Sequence, residues 1–168
     1  GRKESPELDR LEVEQKVGSV LSSDTCQSVL DGIDEVYHLA GMVSRDPKDT
    51  GLLYDVHVRG TRNVLQACLD KGIERVVVTS TSGTVGVSKD ADELADESSP
   101  IAWKLIGRWP YYESKAYAER EVETFIERGL PVRIARPTLL LGPGDHTGSS
   151  TGDVAQFLGG EVKAALPG

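Results

Sequence analysis

The sequence predicts an α/β domain built on a doubly wound parallel sheet. Three observations carry that prediction. Short apolar runs alternate along the chain with longer segments whose apolar residues recur at helical spacing, the pattern of strands joined by helical crossovers. The run Val76-Val77-Val78 is continuous and β-branched, as in a strand covered on both faces. Each helical segment stops at a glycine, successively Gly32, Gly72 and Gly129, as helices do where the chain must turn left-handed.

Taken in order, Leu11–Val20 alternates loosely between apolar and polar residues and predicts a strand. Ser22, Ser23 and Asp24 offer N-caps for a short helix through Leu30, because their side-chain oxygens accept from the first free amides. Ile33–Ala40 predicts a buried strand ending at Gly41. Asp49–Lys71 carries Leu52, Leu53, Val56, Val64, Leu65 and Cys68 on one helical face. Arg75–Ser80 is the next strand, and Lys89–Pro100 is an acidic loop. A helix opens at Pro110, where a missing amide hydrogen costs nothing, and runs to about Arg128. Leu130–Ala135 is a further short strand. The sequence shows no internal repeat and no low-complexity tract.

Composition narrows the function. With 168 residues, 38% of them hydrophobic and 27% charged, the chain is long enough for a sizeable core. Its net charge of -8 comes without a clustered Lys/Arg stripe, which argues against a nucleic-acid partner. No apolar run approaches the ~18–20 residues of a membrane span, and Gly1–Asp9 is too polar for a signal peptide. Cys26 and Cys68 fall in helical segments without metal-ligand spacing, so they read as reduced core thiols of a cytoplasmic protein, with no metal site.

Chemistry concentrates at Pro110–Glu121. Tyr111 and Lys115 stand four residues apart on one helix face, close enough to interact. A tyrosine with its ordinary pKa of about 10 is a poor base at neutral pH, and a nearby ammonium favours the phenolate. The pair is thereby suited to exchanging a proton with an alcohol or carbonyl. The same spacing also occurs at the wet end of any amphipathic helix. In open α/β sheets ligands bind at the carboxyl ends of the strands, so what each strand ends in decides between the two. One ends His38-Leu39-Ala40-Gly41-Met42, small residues that admit a ligand close to the backbone. The next ends Thr79-Ser80-Thr81-Ser82-Gly83-Thr84, a cluster of hydroxyls. The last ends Ala135-Arg136-Pro137 and leads to Gly142-Pro143-Gly144-Asp145.

These pieces, in this order, resemble the extended short-chain dehydrogenase/reductase family, in its epimerase, dehydratase and dihydroflavonol-reductase-like branch. The matching stretches are Val36–Gly41, Gly60–Leu65, Val76–Gly86, Pro110–Lys115 and Arg136–Asp145, which together cover almost the whole chain. The resemblance implies a Rossmann-like fold and an NAD- or NADP-dependent oxidoreductase or epimerase. Its substrate would be a secondary alcohol or ketone, such as a sugar nucleotide, and a homodimer is the oligomer it admits. It implies that Thr81, or Ser82 if the register shifts by one, polarises the substrate oxygen. Tyr111 is then the acid/base, and Lys115 holds the nicotinamide ribose and lowers the tyrosine's pKa. Ser19, Val20, Ala40, Gly41, Thr79 and Pro137 fall at cofactor-binding positions.

The chain departs from the family in three places. No Gly-x-x-Gly-x-x-Gly turn precedes Ile33, so residues 1–168 are expected to form a partial NAD(P)-binding domain lacking its first βα unit, with 138–168 beginning the connection to an absent substrate domain. Gly142, Gly144 and Gly148 imitate such a turn, but Pro143 and the lack of a helical pattern behind them argue against it. Ser19 stands where an acidic residue usually meets adenine, and His57 where asparagine is more usual; a helical histidine facing a sheet is most often just packed and hydrogen-bonded, and the position also makes it a candidate for a proton relay. His38 reads as structural, and His146 carries no signal. Arg2 and Lys3 are solvated charges or contacts to a 2′-phosphate. Trp103, Trp109 and Tyr112 line a pocket or cover a sheet edge. A non-catalytic dinucleotide-binding protein, or an inactive fragment, is the alternative.

Overall fold

Three parallel strands carry the fold in the computed structural model, which describes residues 6–9, 11–90, 92–145 and 148–161. Arg2, Lys3 and His146 lie outside the described residues. The strands are β1 (Glu35–His38), β2 (Arg75–Thr79) and β3 (Val132–Ala135), and they stand side by side in that order. Val36 pairs with Val76, and Val76 with Val132, so the three carboxyl ends open on one edge. The parallel α/β architecture is the one predicted.

The helices are α1 (Pro6–Asp9), α2 (Ser23–Val29), α3 (Thr50–Tyr54), α4 (Gly60–Lys71), α5 (Trp103–Ile106), α6 (Pro110–Glu127) and α7 (Thr151–Leu158). Ser22 caps α2 by accepting from the Thr25 amide, as its side chain predicts. The single helix expected over 49–71 is one continuous run with a flaw. Between α3 and α4, Asp55–Arg59 winds as a π turn, which shifts the side-chain phase and turns His57 inward. Gly72 ends α4 at φ 67°, a left-handed conformation that glycine adopts without cost.

Leu65, Cys68, Val76, Val122, Phe125 and Val132 form the centre of the core, where α4 and α6 meet the sheet. Cys26 and Cys68 belong to it as buried free thiols. Two expectations are corrected here. Leu11–Val20 is not a strand: it runs without sheet pairing, and Leu11, Val13 and Val17 are exposed. Alternation alone does not make a strand, which exists through the hydrogen bonds of a neighbour. The sheet is also covered unequally. Val76 and Val78 are buried but Val77 between them only partly, and Tyr37, paired with Val77, is 63% exposed. The helices that contact the sheet pack on the Val76/Val78 face, so period-two alternation leaves Val77 on the other.

Candidate functional site

Helix α6 organises the carboxyl edge of the sheet. Pro110 occupies its first position, so the chain enters the helix pre-set in φ and loses no hydrogen bond. Lys115, one turn after Tyr111, donates from Nζ to the Thr79 carbonyl at the tip of β2, 2.7 Å away. A Cβ on Gly41 would lie 3.9 Å from that Nζ and 3.4 Å from His57 Nε2. Gly41, Thr79, His57 and Lys115 are thus brought together from four separate stretches. Tyr111 borders them, its ring edge-on to His57 at 5.7 Å between centroids.

The expected effect of Lys115 on Tyr111 is not what the structure shows. Burial pushes the Tyr111 phenol above its ordinary value of 10, with neighbouring Tyr112 adding to the shift. The Lys115 ammonium is directed at Thr79 rather than the phenol, and desolvation dominates. Lys115 itself is held below 10.5, first by burial, with the Glu119 charge opposing.

His57 has both ring nitrogens engaged. Nε2 accepts from the Met42 amide at 3.2 Å, which requires the proton on Nδ1. Nδ1 then donates to Ser114 Oγ at 2.8 Å, while that hydroxyl gives its own proton to the Tyr111 carbonyl at 2.9 Å. The chain of donors closes only for the neutral imidazole. Burial, followed by the Lys115 charge, lowers the His57 pKa from 6.5 to about 4. His57 therefore clamps the end of β1 to the first turn of α6. His38 is structural as read, buried and hydrogen-bonded to Thr61 Oγ1 at 3.0 Å, with a pKa of about 4 from burial and then Lys115.

Thr81 opens the turn Ser82–Thr84, accepting from the Gly83 amide at 3.3 Å. Two contacts fasten this loop. Gly83 lies beneath the Tyr112 ring, so close that a Cβ there would stand 2.3 Å from its Cε1. The Ser82 amide donates to the Pro137 carbonyl at 2.9 Å, joining the loop after β2 to the loop after β3. Behind both sits Glu119, 1% exposed, which sequence reasoning missed. Its carboxylate accepts from Thr84 Oγ1 at 2.8 Å, from Arg136 Nη2 at 2.7 Å and Nε at 3.1 Å, and from Ser80 Oγ. Glu119 is four residues beyond Lys115 and eight beyond Tyr111, and that shared face was the available signal. A glutamate there also reads as an ordinary solvated charge.

A cleft of about 440 Å³ runs along the edge, lined by Gly18, Ser19, Val20, Ala40, Gly41 and Met42 with Leu52 and Val56. It unites four of the expected cofactor residues. Thr79, Thr81, Tyr111, Lys115 and Pro137 do not line it, and lie beyond Gly41 around the tips of β2 and β3. The helix absent from the sequence pattern behind Gly142 and Gly144 does exist as α7. Asp145 fills the N-terminal end of α7 with its own carboxylate, accepting from the amides of Ser149, Ser150 and Thr151. The tryptophans divide: Trp103 packs on Tyr117, while Trp109 stands edge-on to Tyr112 and half exposed. Among the described residues no cluster has metal-ligating character, and no helix is long and apolar enough to cross a membrane.

Comparison with known proteins agrees with this layout. The NAD dependent epimerase/dehydratase family matches residues 2–162. A dihydroflavonol 4-reductase-like protein of Synechocystis sp. is 37% identical over 94% of this chain and 45% of its own length. Sterol demethylase protein B of Methylococcus capsulatus is 33% identical over 96% of this chain and 48% of its own. A double mutant of the dTDP-glucose 4,6-dehydratase from Streptomyces venezuelae, solved with NAD bound, superposes with a TM-score of 0.77 at 27% identity, over 96% of this chain and 49% of that one. The chain therefore spans about half the length of the curated relatives it matches.

Proposed function

The chain belongs to the NAD-dependent epimerase/dehydratase family, and from that premise we propose that it carries the cofactor half of an NAD(P)-dependent oxidoreductase or epimerase acting on a secondary alcohol or ketone. In this reading residues 138–168 lead towards a substrate domain. The observation that supports it best is the convergence of Gly41, Thr79 and Lys115 at the mouth of the Ser19–Gly41 cleft, with Tyr111 alongside.

The residues present fit a dinucleotide. Ser19, Val20, Ala40 and Gly41 line one cleft, and the small Ala40 and Gly41 let a flat ring lie against the backbone. Gly60 is required there, since a Cβ would meet Val20 Cγ2 at 2.7 Å and push that wall inward. The cofactor, when bound, supplies a hydride acceptor or donor. Lys115 orients the ribose from its anchorage on Thr79. Thr81 Oγ1 accepts from its own loop, which leaves its hydroxyl proton for the substrate oxygen. Tyr111 gives or takes the proton at that oxygen through its phenol. Since burial raises the Tyr111 pKa, the phenol favours the protonated form, suited to protonating a carbonyl oxygen during reduction.

The test uses the full-length protein carrying this sequence. Tyr111→Phe removes one oxygen and is expected to cut turnover by a factor on the order of 10²–10⁴ with cofactor affinity unchanged. Lys115→Met is expected to weaken both. Near-normal turnover of Tyr111→Phe on a verified substrate would refute the assignment.

A further inference from the structure

We infer that Glu119 is a positioning residue, a single buried carboxylate that both pins the Thr81 loop to α6 and supplies the negative charge facing Lys115. The inference rests on the reading of Thr81, Tyr111 and Lys115 as the site, but its observations are independent of that chemistry.

The first observation is connectivity. Glu119 accepts hydrogen bonds from residues on both sides of Thr81, namely Ser80 before it and Thr84 after it. Thr84 Oγ1 also lies 2.9 Å from the Thr81 carbonyl, so the carboxylate and the turn share one hydroxyl. Through Arg136 the same carboxylate reaches the residue preceding Pro137, whose carbonyl receives the Ser82 amide. The tips of β2 and β3 therefore meet on one side chain of α6, the helix that carries Tyr111 and Lys115. An error of an ångström between loop and helix would be transmitted directly to the distance between Thr81 and Tyr111.

The second observation is charge. The titratable groups around Lys115 come from every element packed on it. His38 comes from β1, His57 from the π turn, Tyr111 and Glu119 from α6, and Arg136 stands beyond Glu119 after β3; β2 contributes only the Thr79 carbonyl. Burial keeps both histidines neutral, and Tyr111 is held protonated. Glu119 is the anion that opposes the burial of the Lys115 ammonium. Arg136, with its side chain 18% exposed, forks onto the same carboxylate through Nε and Nη2.

A structural brace and a charge-setting residue differ in what they do to Lys115. Selective ¹³C labelling of lysine ε-carbons follows its titration in the purified chain, with no substrate or cofactor needed. Glu119→Gln keeps an oxygen for Ser80 and Thr84 but removes the charge. The Lys115 midpoint is expected to fall by about one pH unit, and exchange of the Ser82 and Thr84 amides to quicken about tenfold. Glu119→Asp keeps the charge and shortens the reach, so the exchange is expected to quicken while the midpoint stays nearer that of the parent. If Glu119→Gln does not fold, the Glu119→Gln/Arg136→Met double variant is compared with Arg136→Met alone, so that the difference in the Lys115 midpoint isolates the Glu119 charge. A folded variant with an unchanged Lys115 midpoint would overturn the inference and leave Glu119 as packing. Because the readout needs no turnover, that result is distinguishable from failure of the Tyr111 assignment.

Discussion

Helix α6 carries an arginine–glutamate pair on each of two faces, two residues apart, and they do different work. On the inward face Glu119 is bound by Arg136 at 2.7 Å, its side chain 2% exposed, together with the hydroxyls of Ser80 and Thr84. On the outward face Glu121 is bound by Arg62 at 2.6 Å, with the arginine side chain 53% exposed. The outer pair is as short and as bidentate as the inner one. Geometry alone would rank them equal. What separates them is that water can replace either partner outside and neither inside. The inward face also holds Ser114 with its His57 clamp and Lys115 on the Thr79 carbonyl.

The sharpest test of that contrast is truncation. Glu119→Ala leaves Arg136 without its bound carboxylate and the Ser80 hydroxyl without its acceptor, and is expected to lower unfolding stability by roughly 3–5 kcal/mol. Glu119→Gln is expected to cost less, because the hydrogen-bond acceptor survives. Urea denaturation measures both.

Acid acts next, and again on the inward side. His38 and His57 have folded pKa values of about 4 against an ordinary 6.5, so the unfolded chain binds more protons between those limits. Stability is unaffected by these rings above pH 6.5 and falls as pH drops from 6.5 towards 4, by up to about 1.4 kcal/mol per pH unit for each ring. Denaturation curves across that window should lose about half of this slope in His57→Asn. Equal slopes in the two proteins would show that His57 is protonated when folded and that the Nδ1–H clamp is misassigned.

The outer pair should give the smallest response. Glu121→Ala is expected to change stability by less than about 1 kcal/mol, and less still in high salt. A loss comparable to that of Glu119→Ala would abolish the distinction between the two faces.

How far the sequence foretells this arrangement differs between backbone and side chains. The three strands, α2, the 49–71 run and α6 are legible because period, caps and glycine stops are local signals, and Gly72 and Ser22 act as those signals require. Leu11–Val20 misleads because pairing is a property of a neighbour rather than of the segment. The π turn at Asp55–Arg59 has no local signature, so the sequence reads His57 as packed and hydrogen-bonded without foretelling which groups, Met42 and Ser114, its two nitrogens meet. Tyr111, Lys115 and Gly41 are legible because their residue types carry chemistry. Glu119 is not, because a glutamate among Ala118, Arg120 and Glu121 looks like any surface charge until Ser80, Thr84 and Arg136 arrive from distant parts of the chain.

On the proposed function, the carboxyl edge from Val20 to Lys115 would receive the dinucleotide. Titrating NAD⁺ into the ¹⁵N-labelled chain, at concentrations high enough to register weak binding, tests it without requiring turnover. Amide shifts are expected to gather at Ser19, Val20, Ala40 and Gly41, which line the cleft, and at Thr79, with a shift of the Lys115 ε-carbon. Shifts gathered instead on the Gly142–Gly148 loop and the start of α7, with the cleft unmoved, would contradict it.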